Sequence, residues 1–138
     1  MRVGSVDRGT RTGVDAARVR LADTGMVRRD IPTIGDVNGW RWPAFPADLG
    51  EGVRLYGASS GRLDGVITHL EVDFPVFSLE RTIVASIPTD HGDSGAALVD
   101  AAGHVLGFLV GASSNIASSL RLFSPAGLVL DRLDCNIP

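Results

Sequence analysis

A short run of glycine, aspartate and serine between apolar segments constrains the fold of this chain more than any other feature. Residues 92–95 have the sequence Gly-Asp-Ser-Gly and lead into a small, apolar stretch over 95–99, and a second apolar stretch spans 104–111. Glycine, aspartate and serine favour tight turns, whereas apolar runs bounded by turn residues are typical of buried strands. The pattern predicts a serine on a tight turn ahead of a strand, and a hairpin across 100–103.

The rest of the chain shows short strand patterns and little helix. Small or apolar residues alternate with charged ones from Val14 to Leu21, as in a strand with one buried face. Turn residues separate further strand patterns, which span 52–57, 65–72, 76–86 and 119–123. Only the end of the chain predicts a helix, with Ser124 as its N-cap and Pro125 in its first turn. Many short strands followed by one helix indicate an all-β barrel architecture.

Composition and charge limit the classes of partner. With 138 residues the chain is one domain or most of one, and 44% hydrophobic residues are enough to fill a core. The net charge of −3 provides no basic surface for nucleic acid or an anionic membrane. No apolar run approaches the roughly 18 residues of a membrane span. We expect neither nucleic acid nor a membrane as a partner.

A single cysteine limits the chemistry further. Cys135 is the only one, which excludes an intramolecular disulfide and a cysteine-based metal site, and the sequence predicts no cofactor. The opening residues 1–4 match neither a signal peptide nor a transit peptide. The sequence therefore does not decide between a cytoplasmic location and export as part of a longer protein.

The turn that carries Ser94 has the residues that nucleophilic catalysis requires locally. A serine hydroxyl needs a base, usually a histidine oriented by a carboxylate, and backbone donors for the oxyanion that forms. Gly92 permits a peptide orientation that a side chain would obstruct, so the N–H groups of Gly92 and Ser94 are predicted to form an oxyanion hole. The simpler alternative is a polar turn that joins two strands and has no chemistry.

This segment resembles the nucleophile segment of chymotrypsin- and trypsin-like serine proteases, and the lack of disulfides matches their bacterial branch. Upstream, residues 12–21 have the sequence TGVDAARVRL and are similar to the strand that carries the family's triad aspartate. Residues 53–66 are similar to the stretch that opens the second barrel in bacterial members. The resemblance implies a double β-barrel, with Ser94 as nucleophile and Asp15 as orienting carboxylate.

The resemblance also implies a substrate-binding region around Ser94. The implied residues are two on one wall (Pro88 and Thr89), three on another (Leu109, Val110 and Gly111), and His91 at the substrate entrance. Such walls favour a small or apolar substrate side chain. Asp93 is implied to be a buried acid that holds the oxyanion turn in shape, and the sequence identifies no partner for it.

The base histidine does not stand where the family has it. No histidine precedes Asp15, and the three histidines of the chain, His69, His91 and His104, all follow it. Each of them favours a structural, surface or substrate-contact role, because a base must lie within hydrogen-bond reach of Ser94. We therefore expect the histidine to come from a missing first-barrel segment or from a partner chain.

These observations predict a partial first barrel and a complete second one. The expected divisions are a remnant of the first barrel with the aspartate strand over 1–30, an inter-barrel connector over 31–51, and the second barrel with a short C-terminal helix over 52–138. Loss of most of the first barrel would expose an apolar patch near Val14, Ala16 and Phe108.

The predicted function is hydrolysis of peptide bonds in a peptide or protein substrate, by a serine endopeptidase that is truncated or inactive as it stands. The alternative is a non-catalytic peptide-binding module derived from such a protease.

The chain order Asp15, His69, Ser94 is also that of subtilisin-like enzymes, but the flanking residues do not resemble their motifs. An α/β-hydrolase would need Gly-x-Ser-x-Gly, and position 96 is alanine. A purely structural barrel would not explain why glycines flank Ser94 on both sides of its turn.

Overall fold

A computed structural model describes residues 3–112 and 120–137 and confirms an all-β architecture with one C-terminal helix. The described part opens with a hairpin of β1, Gly4–Thr10, and β2, Ala16–Leu21. Two very short paired strands follow, β3 over Asp30–Ile31 and β4 over Gly35–Asp36. The six remaining strands form a separate sheet.

This sheet closes into an antiparallel barrel, in the order β10-β7-β6-β5-β8-β9. Its strands are β5 over Gly52–Gly57, β6 over Gly61–Phe74, β7 over Leu79–Ser86, β8 over Ala97–Val99, β9 over Val105–Gly111 and β10 over Leu120–Pro125. Alternating side chains from these strands fill one apolar core, with Leu55, Ile83 and Phe123 among the fully buried residues. Closure leaves no unpaired edge around the barrel, which suits a small all-β domain.

The helix α1, Ala126–Leu133, attaches the hairpin to the barrel. Val14 packs with Val129 and Leu133 in a second apolar cluster, and Ala16 and Phe108 lie half-buried against it. Our expectation of an exposed patch around Val14 is therefore wrong, because the apolar face of α1 covers that residue completely.

The end of β10 also differs from the sequence-based prediction. Ser124 lies inside β10 with a buried hydroxyl that has no partner among the described residues, and Pro125 occupies the N-cap without a side-chain hydrogen bond. The predicted strand over 76–86 begins later, at Leu79, because Pro75–Phe77 forms a 3-10 turn that ends at Ser78 in the left-handed region, at φ +53°. Position 119 of the predicted strand 119–123 is outside the described residues.

The predicted connector runs over the surface and is attached to the barrel by a partly buried ion-pair cluster. Arg41 donates to Asp48 and to Asp100 at 2.7 Å each, and His104 contacts the same Asp100 carboxylate at 3.2 Å. Burial raises the pKa of Asp100, but the hydrogen bonds from Arg41 and His104 outweigh it and hold this pKa below its usual value. The connector is thereby held against the turn between β8 and β9. Among the described residues, none of the helices is long and apolar enough to cross a membrane.

Candidate active site

Ser94 is exposed on the loop between β7 and β8. The loop is held on both sides of the serine. The Ala96 N–H donates to the Asp93 carbonyl at 3.0 Å, and the Gly95 N–H donates to the Leu109 carbonyl of β9 at 2.8 Å. The serine is therefore presented on a short, internally bonded turn beside a buried strand, as its sequence pattern predicts.

The Asp93 carboxylate is the buried anchor of this loop. It accepts hydrogen bonds from the N–H groups of Ser59, Ser60 and Asp90 at 2.9, 3.0 and 2.9 Å, and from the Ser60 hydroxyl at 2.5 Å. Burial raises the pKa of Asp93, but these hydrogen bonds outweigh it and lower the pKa to about 2. The carboxylate is therefore ionised at neutral pH, and all four of its described partners are neutral donors.

These partners of Asp93 are the residues that the sequence did not identify. Two of them, Ser59 and Ser60, belong to the turn between β5 and β6, which lies far from Asp93 in the sequence. The signal that could have found them is the pair Ser59-Ser60 between two glycines, a composition that offers backbone and hydroxyl donors on a tight turn. The same turn also holds the backbone of His91, because the Ser59 hydroxyl donates to the His91 carbonyl at 2.6 Å.

Two glycines are required by this close packing. A Cβ at Gly57 would overlap the Asp93 carboxylate, so only glycine allows the acid to lie against β5. Gly92 has a φ of +96°, and a Cβ there would overlap the Ser59 hydroxyl. Among the described residues no acceptor is bonded to the N–H of Gly92 or of Ser94, and both residues are exposed.

Ser94 and Asp15 line one open cleft of about 850 Å³. The cleft lies between the hairpin, the serine loop, β9 and the C-terminal helix. Its other lining residues include Ala16, Leu109, Val110, Val129 and Cys135. Asp15 follows the hairpin turn and is exposed, whereas its neighbour Val14 is buried against the helix and so fixes the position of the turn.

Within the described part of the chain, no histidine lines this cleft. His69 contacts its neighbour Thr68 at 2.9 Å on β6, and His104 contacts Asp100 at 3.2 Å. His91 is exposed, and its N–H donates to the Asp90 carboxylate at 2.7 Å. The structure therefore brings together the predicted nucleophile and the predicted orienting carboxylate, without a histidine between them.

The predicted substrate-binding residues fall into two groups. Leu109 and Val110 line the cleft, and both backbone groups of Leu109 are bonded, to Gly95 at 2.8 Å and to Ala96 at 3.0 Å. The remaining predicted residues lie outside that lining: Pro88, Thr89, His91 and Gly111. Thr89 is buried and contacts Arg121, a residue that the sequence did not single out.

Residues 3–112 and 120–137 contain no group of three or more histidine, cysteine, aspartate and glutamate side chains that could hold a metal ion. Among the polar side chains of the described cleft lining are the Ser94 hydroxyl, the Asp15 carboxylate and the Cys135 thiol.

Solved structures place this fold among known proteins. No family model and no curated protein sequence matches the chain. The chymotrypsin of Cellulomonas bogoriensis is 25% identical, with a TM-score of 0.68 over 93% of this chain and 71% of that protein. Protease A of Thermobifida fusca is 22% identical, with a TM-score of 0.71 over 93% of this chain and 70% of that protein.

A third solved structure gives the same result. It is a glutamic acid specific serine protease that uses a histidine triad in substrate binding, and it is 17% identical to this chain. The TM-score is 0.75 over 99% of this chain and 74% of that protein. The chain resembles bacterial chymotrypsin-like serine proteases, and its fold is the trypsin-like fold of these enzymes.

Proposed function

We propose that the chain is a serine endopeptidase domain in which Ser94 is the nucleophile and Asp15 is the carboxylate that orients the base. The observation that carries this proposal is the single cleft that both residues line, in a fold shared with serine proteases. In this proposal residues 52–138 correspond to the second barrel of the fold and residues 1–30 to a part of the first, joined by the connector over 31–51.

The oxyanion hole of this proposal is formed by the N–H groups of Gly92 and Ser94. Neither has a described acceptor, and Asp93 holds the loop that carries both. Donors that are fixed before the reaction stabilise the developing negative charge without reorganisation, which makes this type of contribution the largest in acyl transfer.

The base of this proposal is a histidine that enters the cleft from a further segment or a partner chain. Its unprotonated nitrogen takes the proton of the Ser94 hydroxyl while Oγ bonds to the substrate carbonyl carbon. The imidazolium, oriented by Asp15, returns that proton to the leaving amine as the C–N bond breaks. Water then hydrolyses the acyl-enzyme through the same proton transfers.

Labelling with a fluorophosphonate probe tests this proposal, because the probe reacts with activated serines and mimics the tetrahedral state. We expect slow labelling of the chain alone and faster labelling when free imidazole is added, since the open cleft of about 850 Å³ that Ser94 and Asp15 line has room for an imidazole. Ser94→Ala should abolish the labelling. Asp15→Asn should reduce the acceleration by imidazole about tenfold, because the oriented tautomer is lost.

Asp64→Asn is the matched control, because Asp64 is an exposed carboxylate on β6 that forms only a surface ion pair with Arg62. It should label like the unmodified chain with and without imidazole. Rapid labelling without imidazole would show that a histidine of this chain acts as the base. Failure of imidazole to accelerate labelling would contradict the proposed cleft.

The second candidate function is a peptide-binding module without catalysis. The observation that favours it is the absence of histidine from the described lining of the cleft. It predicts that peptides bind the chain with equal affinity whether position 94 is serine or alanine, and that no condition produces a covalent adduct.

A further inference from the structure

A second groove, of about 640 Å³, shares none of its lining residues with the cleft of Ser94. Four parts of the chain border it: the end of β2, the segment 24–37 that contains β3 and β4, the barrel strands β8 and β9, and the C-terminal segment. Most of the lining residues are apolar, and they include Leu21, Val27, Ile31, Val37, Val105 and Ile137. A mainly apolar groove of this volume has the size of a small-molecule binding site.

Hydrogen bonds hold two walls of this groove in place. The Val37 N–H donates to the Arg29 carbonyl at 2.9 Å and so ties together the ends of the segment that contains β3 and β4. The Trp40 Nε1–H donates to the Asn136 side-chain oxygen at 3.2 Å, which attaches the C-terminal segment beside Ile137 to the connector. A ligand therefore meets walls that are already ordered, and its binding does not bear the entropic cost of ordering them.

The charged residues of the lining give the groove a rim with an excess of positive charge. These residues are Arg28, Arg29 and Asp30. Arg28 donates to both oxygens of the Asp30 carboxylate, at 2.8 and 2.9 Å, so these two charges compensate each other. Arg29 is exposed, and its side chain has no partner among the described residues. The rim therefore favours an anionic group over a cationic one.

We propose that this groove binds a small aliphatic carboxylate, with the alkyl chain against the apolar walls and the carboxylate on Arg29. Removal of alkyl surface from water supplies most of the affinity. A planar guanidinium binds a carboxylate through two parallel hydrogen bonds, and this contact sets the direction of the ligand in the groove. The site is separate from Ser94, so the inference does not depend on the proposed catalysis.

Calorimetric titration of the chain with ligands that share one alkyl chain tests the head group. Octanoate, octanol and octylammonium are the probes. We expect octanoate to bind about fivefold more tightly than octanol, which is the size of effect that an exposed ion pair provides, and octylammonium to bind most weakly. Hexanoate should bind about tenfold more weakly than octanoate, because two fewer methylene groups leave water.

Two substitutions separate the contribution of the charge from that of the apolar walls. Arg29→Gln should lower the affinity for octanoate to that for octanol and leave octanol binding unchanged. Val27→Ser should weaken octanoate and octanol by the same factor, because it removes apolar wall and keeps the guanidinium. Val27 is 54% exposed, so this substitution leaves the core intact, and thermal melts verify that both variants fold.

Arg8→Gln is the matched control, because Arg8 is also exposed, has no described side-chain partner and lies outside the groove, on β1. It should keep the preference for octanoate. Absence of octanoate binding, equal affinities for the three head groups, or a preference that survives in Arg29→Gln would overturn the inference. Octanoate should also leave the fluorophosphonate labelling of Ser94 unchanged. Slower labelling would assign the ligand to the cleft of Ser94 and would overturn the inference as well.

Discussion

At the scale of single residues, the Asp93 carboxylate is the group that holds the Ser94 loop in place. Three of the four hydrogen bonds that it accepts join the serine loop to the turn between β5 and β6, and the fourth, from the Asp90 N–H, closes the loop on itself. A buried carboxylate with this many donors is an anchor, and its removal leaves those donors unsatisfied. The geometry of the Ser94 loop is therefore set by a residue that does not itself react.

Replacement of Asp93 should lower both stability and reactivity. We expect Asp93→Ala to reduce the free energy of unfolding by about 3 kcal/mol, since it leaves buried N–H groups without acceptors. Imidazole-assisted labelling of Ser94 should fall together with it, and denaturant melts and labelling rates measure the two effects. Unchanged labelling in a folded Asp93→Ala chain would contradict the anchoring role.

The low pKa of Asp93 gives a definite pH dependence. Its folded pKa of about 2 lies below the ordinary 3.8, so the ionised form stabilises the fold above pH 4 and this contribution is lost as pH falls towards 2. The contribution is about 2 kcal/mol. The difference in unfolding free energy between the unmodified chain and Asp93→Asn should therefore shrink over that range. A difference in unfolding free energy that stays constant as pH falls would contradict the low pKa of Asp93.

Gly57 gives a test with a matched control on the same strand. Gly57→Ala should destabilise the chain by about 1–3 kcal/mol and displace the Asp93 carboxylate, because the new methyl group overlaps it. Gly52→Ala has open space around its Cβ and should be close to neutral. Melts and labelling of both variants check this. Equal effects of the two substitutions would argue against a specific contact between Gly57 and Asp93.

At the scale of elements, the hairpin of β1 and β2 matters because it carries Asp15 to the cleft. Arg18 of β2 donates to the carbonyls of Leu133 and Asp134 at 2.7 and 2.9 Å, and so bonds the hairpin to the end of the helix. Carbonyls at a helix C-terminus have no partner within the helix, which makes a cation there favourable.

Loss of this bond should loosen the hairpin. We expect Arg18→Met to lower the free energy of unfolding by about 1 kcal/mol and to reduce the acceleration of labelling by imidazole. Arg20→Met is the control, because the Arg20 side chain is 75% exposed and forms an ion pair with Asp7 at the surface. It should match the unmodified chain. If Arg18→Met leaves the labelling rate unaltered, the position of the hairpin does not influence the reaction of Ser94.

The elements that the sequence predicts correctly are those with a clear burial pattern. The strands of the barrel core and the hairpin of β8 and β9 alternate or cluster apolar residues, and their positions follow from that pattern. Strand β1 was not predicted, because it is polar and mostly exposed, so that pairing with β2 alone defines it. The helix begins at Ala126, one residue after the predicted start at Pro125, because Ser124 is part of β10 and does not cap the helix.

For the candidate site, motifs in the order of the serine proteases predict that Ser94 and Asp15 act together. The structure shows that both residues line one cleft. The donors to Asp93 and the contact between Arg121 and Thr89 depend on how distant strands and turns meet, which local patterns do not encode.

At the scale of the whole molecule, the hairpin presents apolar side chains that nothing in the described chain covers. Val6 and Val19 are directly opposite each other and are 67% and 45% exposed. Leu21 is on the same face, two residues beyond Val19. Adjacent exposed apolar side chains favour association with another apolar surface.

We therefore expect the isolated chain to self-associate or to bind a hydrophobic dye. Val6→Lys together with Val19→Thr should reduce both effects, because it places a charge and a hydroxyl on that face. Val76→Thr is the control, since Val76 is 90% exposed and lies outside the hairpin, on the turn before β7. Light scattering and dye fluorescence measure the outcome. A monomer that binds no dye would favour a self-contained domain and the peptide-binding alternative.

The most direct test of the central claim is the identity of the residue that carries the phosphonyl group after labelling in the presence of imidazole. Peptide mapping by mass spectrometry locates the group. The account predicts a single adduct on the Ser94 hydroxyl, which disappears in Ser94→Ala and forms more slowly in Asp15→Asn. An adduct on Ser59, on Ser60 or on any other residue, or equal labelling of the Ser94→Ala chain, would contradict it.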